Sequence, residues 1–172
     1  NFGVLAILTL LFLMNLSIHL GWGRQGSLIA IDVVILLILL IAGRILAPYT
    51  RNRINVNTIR SHKILDQLTL ASMSLLIFSE LFMESESWIL AVLALVTAIL
   101  ALARSVHWGS QYSFRDPMLW ILHVGYFWVP IGLFLRGLSF FWTAIPASVS
   151  THALTVGAIG SLILGIMSRV TL

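Results

Sequence analysis

The sequence predicts an all-α membrane protein, a polytopic bundle of about six transmembrane helices forming a single domain over residues 1–172. Three observations carry this. Hydrophobic residues make up 59% of the chain and charged residues only 9%, whereas soluble domains carry about a quarter charged. The apolar residues fall in blocks about twenty long, the length a helix needs to cross the hydrocarbon core. The basic residues, behind a net charge of +4, gather between those blocks, where they set topology.

The spans are expected near 2–20, 28–47, 65–83, 87–104, 117–137 and 147–170. The first has neither a basic leader nor an Ala-x-Ala site, so it reads as a span rather than a signal peptide. The second closes on Arg44, whose side chain can snorkel to the interface, and a loop over 48–64 follows. His62 and Asp66 stand one turn apart at the start of the third, a spacing that can hold a carboxylate–histidine pair but, near water, reads as a solvated helix start. Glu80, at the other end, reads as an interfacial residue lying with Glu84 at the periplasmic surface, with a proton-relay group as the alternative. Ser85 or Glu86 can open the fourth span. Asp116 followed by Pro117 opens the fifth, an N-cap oxygen before proline at the first helical position. Pro130 removes a backbone donor inside that span and should kink it. Pro146 can open the sixth. Trp22, Trp88, Trp108 and Trp142 lie near span ends, as interfacial aromatics do.

Counting Lys and Arg by side predicts the orientation. Arg44, Arg51, Arg53, Arg60, Lys63, Arg104, Arg115 and Arg169 fall on one side, and Arg24 and Arg136 on the other. Eight against two puts both termini and the 48–64 loop in the cytoplasm. The lipid bilayer is thus the first partner, and the positive loops serve topology rather than nucleic acid. The chain has no cysteine, which excludes thiolate metal sites, iron–sulfur clusters, disulfides and covalent c-type haem. Histidine, methionine, tyrosine or carboxylate would have to supply any ligand.

Polar residues inside spans are the next signal, because an unpartnered polar group in lipid is costly. His19 closes span 1 and His152 lies about six residues into span 6, so both belong to the periplasmic third. His123 enters span 5 from the other side, roughly 10–18 Å away in depth from His152, too far for both to hold one iron. His19 and His152 therefore pair better as metal ligands, with Asn15 one turn before His19. Asp32, at the periplasmic end of span 2, could orient either imidazole as a carboxylate behind the ligand. His123 shares a face with Trp120, Tyr126 and Phe127, a pattern that suits a haem pocket or a packed core equally. His107 is a loop histidine with no evident partner. Ala153, Gly157, Ser161 and Gly165, spaced by four, form a smooth stripe that admits another helix or a flat prosthetic group. Helix packing with a hydrogen-bonded His152 is the structural alternative. The expectation is that His152 faces the bundle interior or a cavity.

Three segments carry a resemblance. His152-Ala-Leu-Thr-Val-Gly-Ala-Ile-Gly160, running on to Gly165-Ile-Met-Ser-Arg-Val-Thr-Leu172, resembles the carboxy-terminal signature of the NnrS family. Ala42-Gly-Arg-Ile-Leu-Ala-Pro-Tyr-Thr-Arg-Asn52 and Pro117-Met-Leu-Trp-Ile-Leu-His-Val-Gly-Tyr126 agree with it, in the family's order. The resemblance implies an integral membrane protein associated with haem and copper and acting in the response to nitric oxide and nitrosative stress. It implies functional roles for His152 and His123 at haem or metal sites, and a propionate or phospholipid partner for Arg44. Family members are about twice as long, with roughly a dozen spans. The chain is therefore expected to be the second half, with the amino-terminal half as a partner and the Gly-His-Thr-Gly-Arg-like tail beyond Leu172. No catalytic constellation is identifiable, and nothing fixes the oligomeric state. The rival expectation is a transporter or channel whose intramembrane polar groups line a solute path. Few midplane carboxylates and the lack of a glycine–proline-broken helix pair speak against it.

Overall fold

The computed structural model describes residues 2–54, 59, 61–83 and 87–171, excepting the side chains of Trp22, Arg24, Arg115, Met118, Arg169 and Val170. Arg60, Glu84, Ser85 and Glu86 lie outside the described residues, so expectations placed on them are not addressed. Helix α1 (Phe2–Ser17) runs into a π-wound turn, Ile18–Trp22, and α2 spans Gly23–Ile54. Helices α3 (Lys63–Phe82) and α4 (Trp88–His107) follow, then a 3-10 turn, Ser110–Arg115, and α5 (Pro117–Phe141). The last rod is α6 (Ala147–His152), a π-wound stretch Ala153–Gly160, and α7 (Ser161–Thr171). No strand occurs among the described residues. Among the described residues six helical spans are long and apolar enough to cross a membrane, and the protein is an all-α membrane protein.

The helices pack in chain order: α1 on α2, α2 on α3, α3 on α4, α4 on α5, and the last rod on α5. Contacts from α2 to α5 and to the π stretch close the ring, while α1 lies outside it. The core accordingly collects Ile29, Val33 and Leu39 of α2, Met73 and Leu76 of α3, Ala94 and Ala101 of α4, and Tyr126 and Leu133 of α5. Of α1 only Ile7 and Met14 are buried, and Phe2, Leu5 and Phe12 are exposed, as lipid-facing side chains should be. Small residues on α4 let α5 approach closely, since without a hydrophobic drive between helices in lipid, packing does the work.

Helix α2 departs from the expected span. It continues through Pro48 to Ile54, where a loop was expected from 48. At 1.5 Å per residue its 32 residues reach about 48 Å, more than the hydrocarbon core, so its last turns project beyond it. Thr50 Oγ1 lies 2.7 Å from the Leu46 carbonyl, two residues past the proline. Helix α5 begins at Pro117 as the Asp-Pro pair predicts, with the Asp116 carbonyl accepting from the Leu119 and Trp120 amides at 2.9 and 3.0 Å. Helix α4 starts at Trp88, and Ser87 supplies the first carbonyl, accepting from the Leu90 amide at 3.1 Å. The last rod starts at Ala147, where the Pro146 carbonyl accepts from the Val149 amide at 3.0 Å.

Candidate functional site

Polar side chains concentrate at the two ends of the bundle. At the end carrying the α2–α3 connection, here the basic end, the first two family-like segments meet. His123 of α5 is 2% exposed. Its Nε2 lies 2.9 Å from Thr50 Oγ1 and its Nδ1 3.0 Å from Ser110 Oγ. Each hydroxyl also sits 2.7 Å from a backbone carbonyl, Leu46 O and Ser105 O respectively. A hydroxyl has one proton to give. With a neutral imidazole, one hydroxyl therefore donates to the ring and the other accepts from it. Either way both ring nitrogens are engaged, and the imidazole ties α5 to α2 and to the turn after α4. Of the expected aromatic face, Tyr126 is buried and donates to the Ala101 carbonyl at 3.1 Å, while Trp120 is exposed. The geometry is that of a packed-core histidine, not of one presenting a free nitrogen to a metal.

Beside it runs a buried ionic contact that the sequence reading missed. Arg104, counted there among loop cations, is 1% exposed. Its Nε lies 2.7 Å from Asp66 Oδ1, its Nη2 donates to the Leu39 carbonyl at 3.1 Å, and its guanidinium lies 4.9 Å from the Trp108 ring centroid. Asp66 is thus an ion-pair partner rather than a solvated helix start. Trp108, expected at the interface, is 1% exposed and packs on Tyr126 with ring centroids 4.7 Å apart. Trp88 and Trp142 are exposed at span ends as expected. Gly43 makes room for this arrangement, because a Cβ there would collide with Arg104 Nη2. Arg44, the next residue, is exposed and lines a cleft over the pair. His107 does have a neighbour: its ring meets that of His62 edge to face at 4.5 Å.

At the opposite end Asp32 and Glu80 share one cation. Arg136 Nη1 lies 2.5 Å from Asp32 Oδ2, and its Nη2 contacts Glu80 Oε1. Asp32 is 1% and Glu80 5% exposed, so Glu80 is not the interfacial group expected. Gln25 Nε2 also donates to the Glu80 carbonyl at 3.0 Å. Asp32 faces Arg136 rather than an imidazole, which corrects its expected place behind His19 or His152. A cleft of about 610 Å3 opens beside it, lined by Asp32, Arg136, Gln25, Ser150 and Thr151. Three charges at one depth on spans 2, 3 and 5 were the available signal for this triad. Assigning Arg136 to the outer side for topology hid it.

His152 and His19 are both exposed, so the expectation that His152 faces the bundle interior is not met. The structure does not bring the two together. Helix α1 packs along α2, whereas the rod bearing His152 packs on α5, and shared depth does not imply a shared side of the bundle. His152 is nonetheless oriented. Its Nδ1 lies 2.7 Å from the Ser148 carbonyl, which can only accept, so Nδ1 carries the proton. In the neutral ring Nε2 then holds the lone pair, on a side chain that is exposed. Directly after it the chain is π-wound over Ala153–Gly160, a winding that often marks functional segments. The small-residue stripe packs on α5: a Cβ at Gly157 would stand 2.6 Å from Trp128 Cδ2, and one at Gly165 3.2 Å from Ile121 Cγ2. The stripe thus seats another helix. Among the described residues no three His, Asp or Glu side chains gather as a metal site.

The NnrS protein family model matches residues 1–172, and the chain belongs to that family. Neither a curated protein nor a solved structure matches it.

Proposed function

We propose that this membrane-spanning member of the NnrS family is a haem-associated inner-membrane protein of the nitric oxide response, with His152 as an iron ligand. Family membership supports an NnrS-like protein, and the haem and nitric oxide roles are what the resemblance of the three segments implies. The observation that carries the residue assignment is the tautomer of His152, whose Nδ1–H is held by the Ser148 carbonyl. Such a bond fixes the ring and leaves Nε2 as the metal-binding nitrogen, the arrangement found behind ligating histidines generally. Bound there, haem supplies an iron centre with a coordination position for a small diatomic ligand. The chain's own part is to fix the orientation of the imidazole ring through the Ser148 carbonyl. The Gly157–Trp128 contact anchors the segment on α5.

The exposure of His152 also supports the second half of the reading, that this chain is the carboxy-terminal half of a longer protein; the cytoplasmic placement of its termini rests on the distribution of Lys and Arg. A ligand exposed on its own bundle needs a further helix to enclose what it binds, because a bare imidazole in lipid has no partner. His19, exposed in the π-wound turn after α1, does not fit as its partner within this bundle, and any further ligand would have to come from the other half. His123, with both nitrogens engaged, does not fit as an iron ligand. Copper needs several donors, and no group of three assembles among the described residues.

The test is haem content and the visible spectrum of the full-length protein purified with His152→Ala and with His123→Ala. Loss of the Soret band in the first and its retention in the second is the expected result. One observation favours the transporter reading as an alternative, the Asp32–Arg136–Glu80 triad beside a polar cleft of about 610 Å3. A colourless protein that moves solute in proteoliposomes would select it.

A further inference from the structure

At the basic end a cleft of about 580 Å3 lies between α2 and α3 and over the end of α4, within the range of about 300–1,000 Å3 typical of small-ligand sites. Arg44, Arg51, Lys63 and Arg104 all line it, against a single lining carboxylate, Asp66. That carboxylate is already engaged by Arg104. Arg44, Arg51 and Lys63 are exposed at the rim, whereas the apolar floor residues Ala47 and Ile59 are each 3% exposed. Arg104 adds a buried Nη1 without a hydrogen-bond partner. The cleft is therefore a cationic mouth over an apolar floor, with positive charge in excess.

We propose that this cleft binds the headgroup of an anionic phospholipid. Its phosphate lies among Arg44, Arg51 and Lys63, and its acyl chains run along the flank of α2 and α3. The flank decides for a lipid over a free anion. One residue on from the lining positions, Ile45, Ile64 and Leu68 are 48%, 73% and 50% exposed, so the mouth opens directly onto apolar surface. The cleft also lies where α2 leaves the apolar stretch and its basic last turns begin, the depth at which lipid phosphates reside. Basic pockets between transmembrane helices at that level are suited to anionic headgroups. This inference is independent of the haem assignment, which concerns the other end of the bundle.

The experiment measures the thermal midpoint of the full chain in an uncharged detergent, titrated with short-chain phosphatidylglycerol, phosphatidylcholine or inorganic phosphate. Phosphatidylglycerol is expected to raise the midpoint saturably while the other two do not. In Arg51→Gln/Lys63→Gln, which alters only exposed side chains, its apparent affinity should fall about ten- to thirty-fold, given the usual contribution of each basic residue near a charged lipid. An equal response in the variant, or an equal response to phosphatidylcholine, overturns the site. A matching response to inorganic phosphate overturns the lipid and leaves a soluble-anion site. Retention of phosphatidylglycerol in native mass spectra gives a second reading independent of the variant's stability. Equal retention by the two proteins contradicts the proposal.

Discussion

Gly43 sits where a side chain would displace the guanidinium of Arg104, and that guanidinium is the partner of Asp66. Gly43→Ala is therefore expected to lower stability by about 1–3 kcal/mol, the usual range for overpacking a filled site. Gly3→Ala, whose new methyl would meet Leu40 Cδ2 at an ordinary 3.8 Å, should stay within about 0.5 kcal/mol. Thermal midpoints in one detergent compare the two. His123→Ala should also destabilise, by about 1–3 kcal/mol, because Thr50 and Ser110 lose their shared partner. At this scale the sequence was only partly readable. That His123 and Arg104 matter could be suspected from polarity inside an apolar run. Which groups they touch could not, because Thr50 and Ser110 lie 73 and 13 positions away from His123. Those pairings depend on how three helices rotate about their axes.

Among the elements, span positions were legible because apolar length is a one-dimensional property. All six expected spans correspond to helices. The exceptions have local causes. Proline usually ends a helix, yet α2 passes Pro48 because its following turn lies at the end of the bundle, where Thr50 both bonds Leu46 O and meets His123. The π winding of Ala153–Gly160 has no signature in a four-residue spacing, which suits an α-helix as well. The small residues that form the stripe did predict close packing, and α5 is what they pack against. Gly157→Leu should consequently disrupt assembly, seen as aggregation or a midpoint lowered by several degrees, since its side chain would enter the Trp128 ring. Val156→Leu, at a position 68% exposed, should be tolerated. Similar behaviour of the two variants would mean that α5 and the last rod do not pack through this stripe.

For the molecule as a whole, six acidic and ten basic residues perform two tasks that a sequence count merges. Most of the basic ones collect at one end, while Arg104 and Arg136 are drawn into the bundle by Asp66 and by Asp32 with Glu80. Arg136→Gln should strand two buried carboxyls and cost about 3–5 kcal/mol, as broken buried pairs do. Arg53→Gln, which removes a 58% exposed side chain from its pair with Asp116, should leave the thermal midpoint nearly unchanged. Family membership reaches across the entire chain, and the end of the bundle bearing His152 is where its chemistry is proposed to lie. The most direct test is haem per mole of full-length protein, with its Soret band, in wild type, His152→Ala and His123→Ala. The account expects His152→Ala to lose haem and the band while His123→Ala, though less stable, keeps them. Full haem content and an unchanged spectrum in His152→Ala would contradict it.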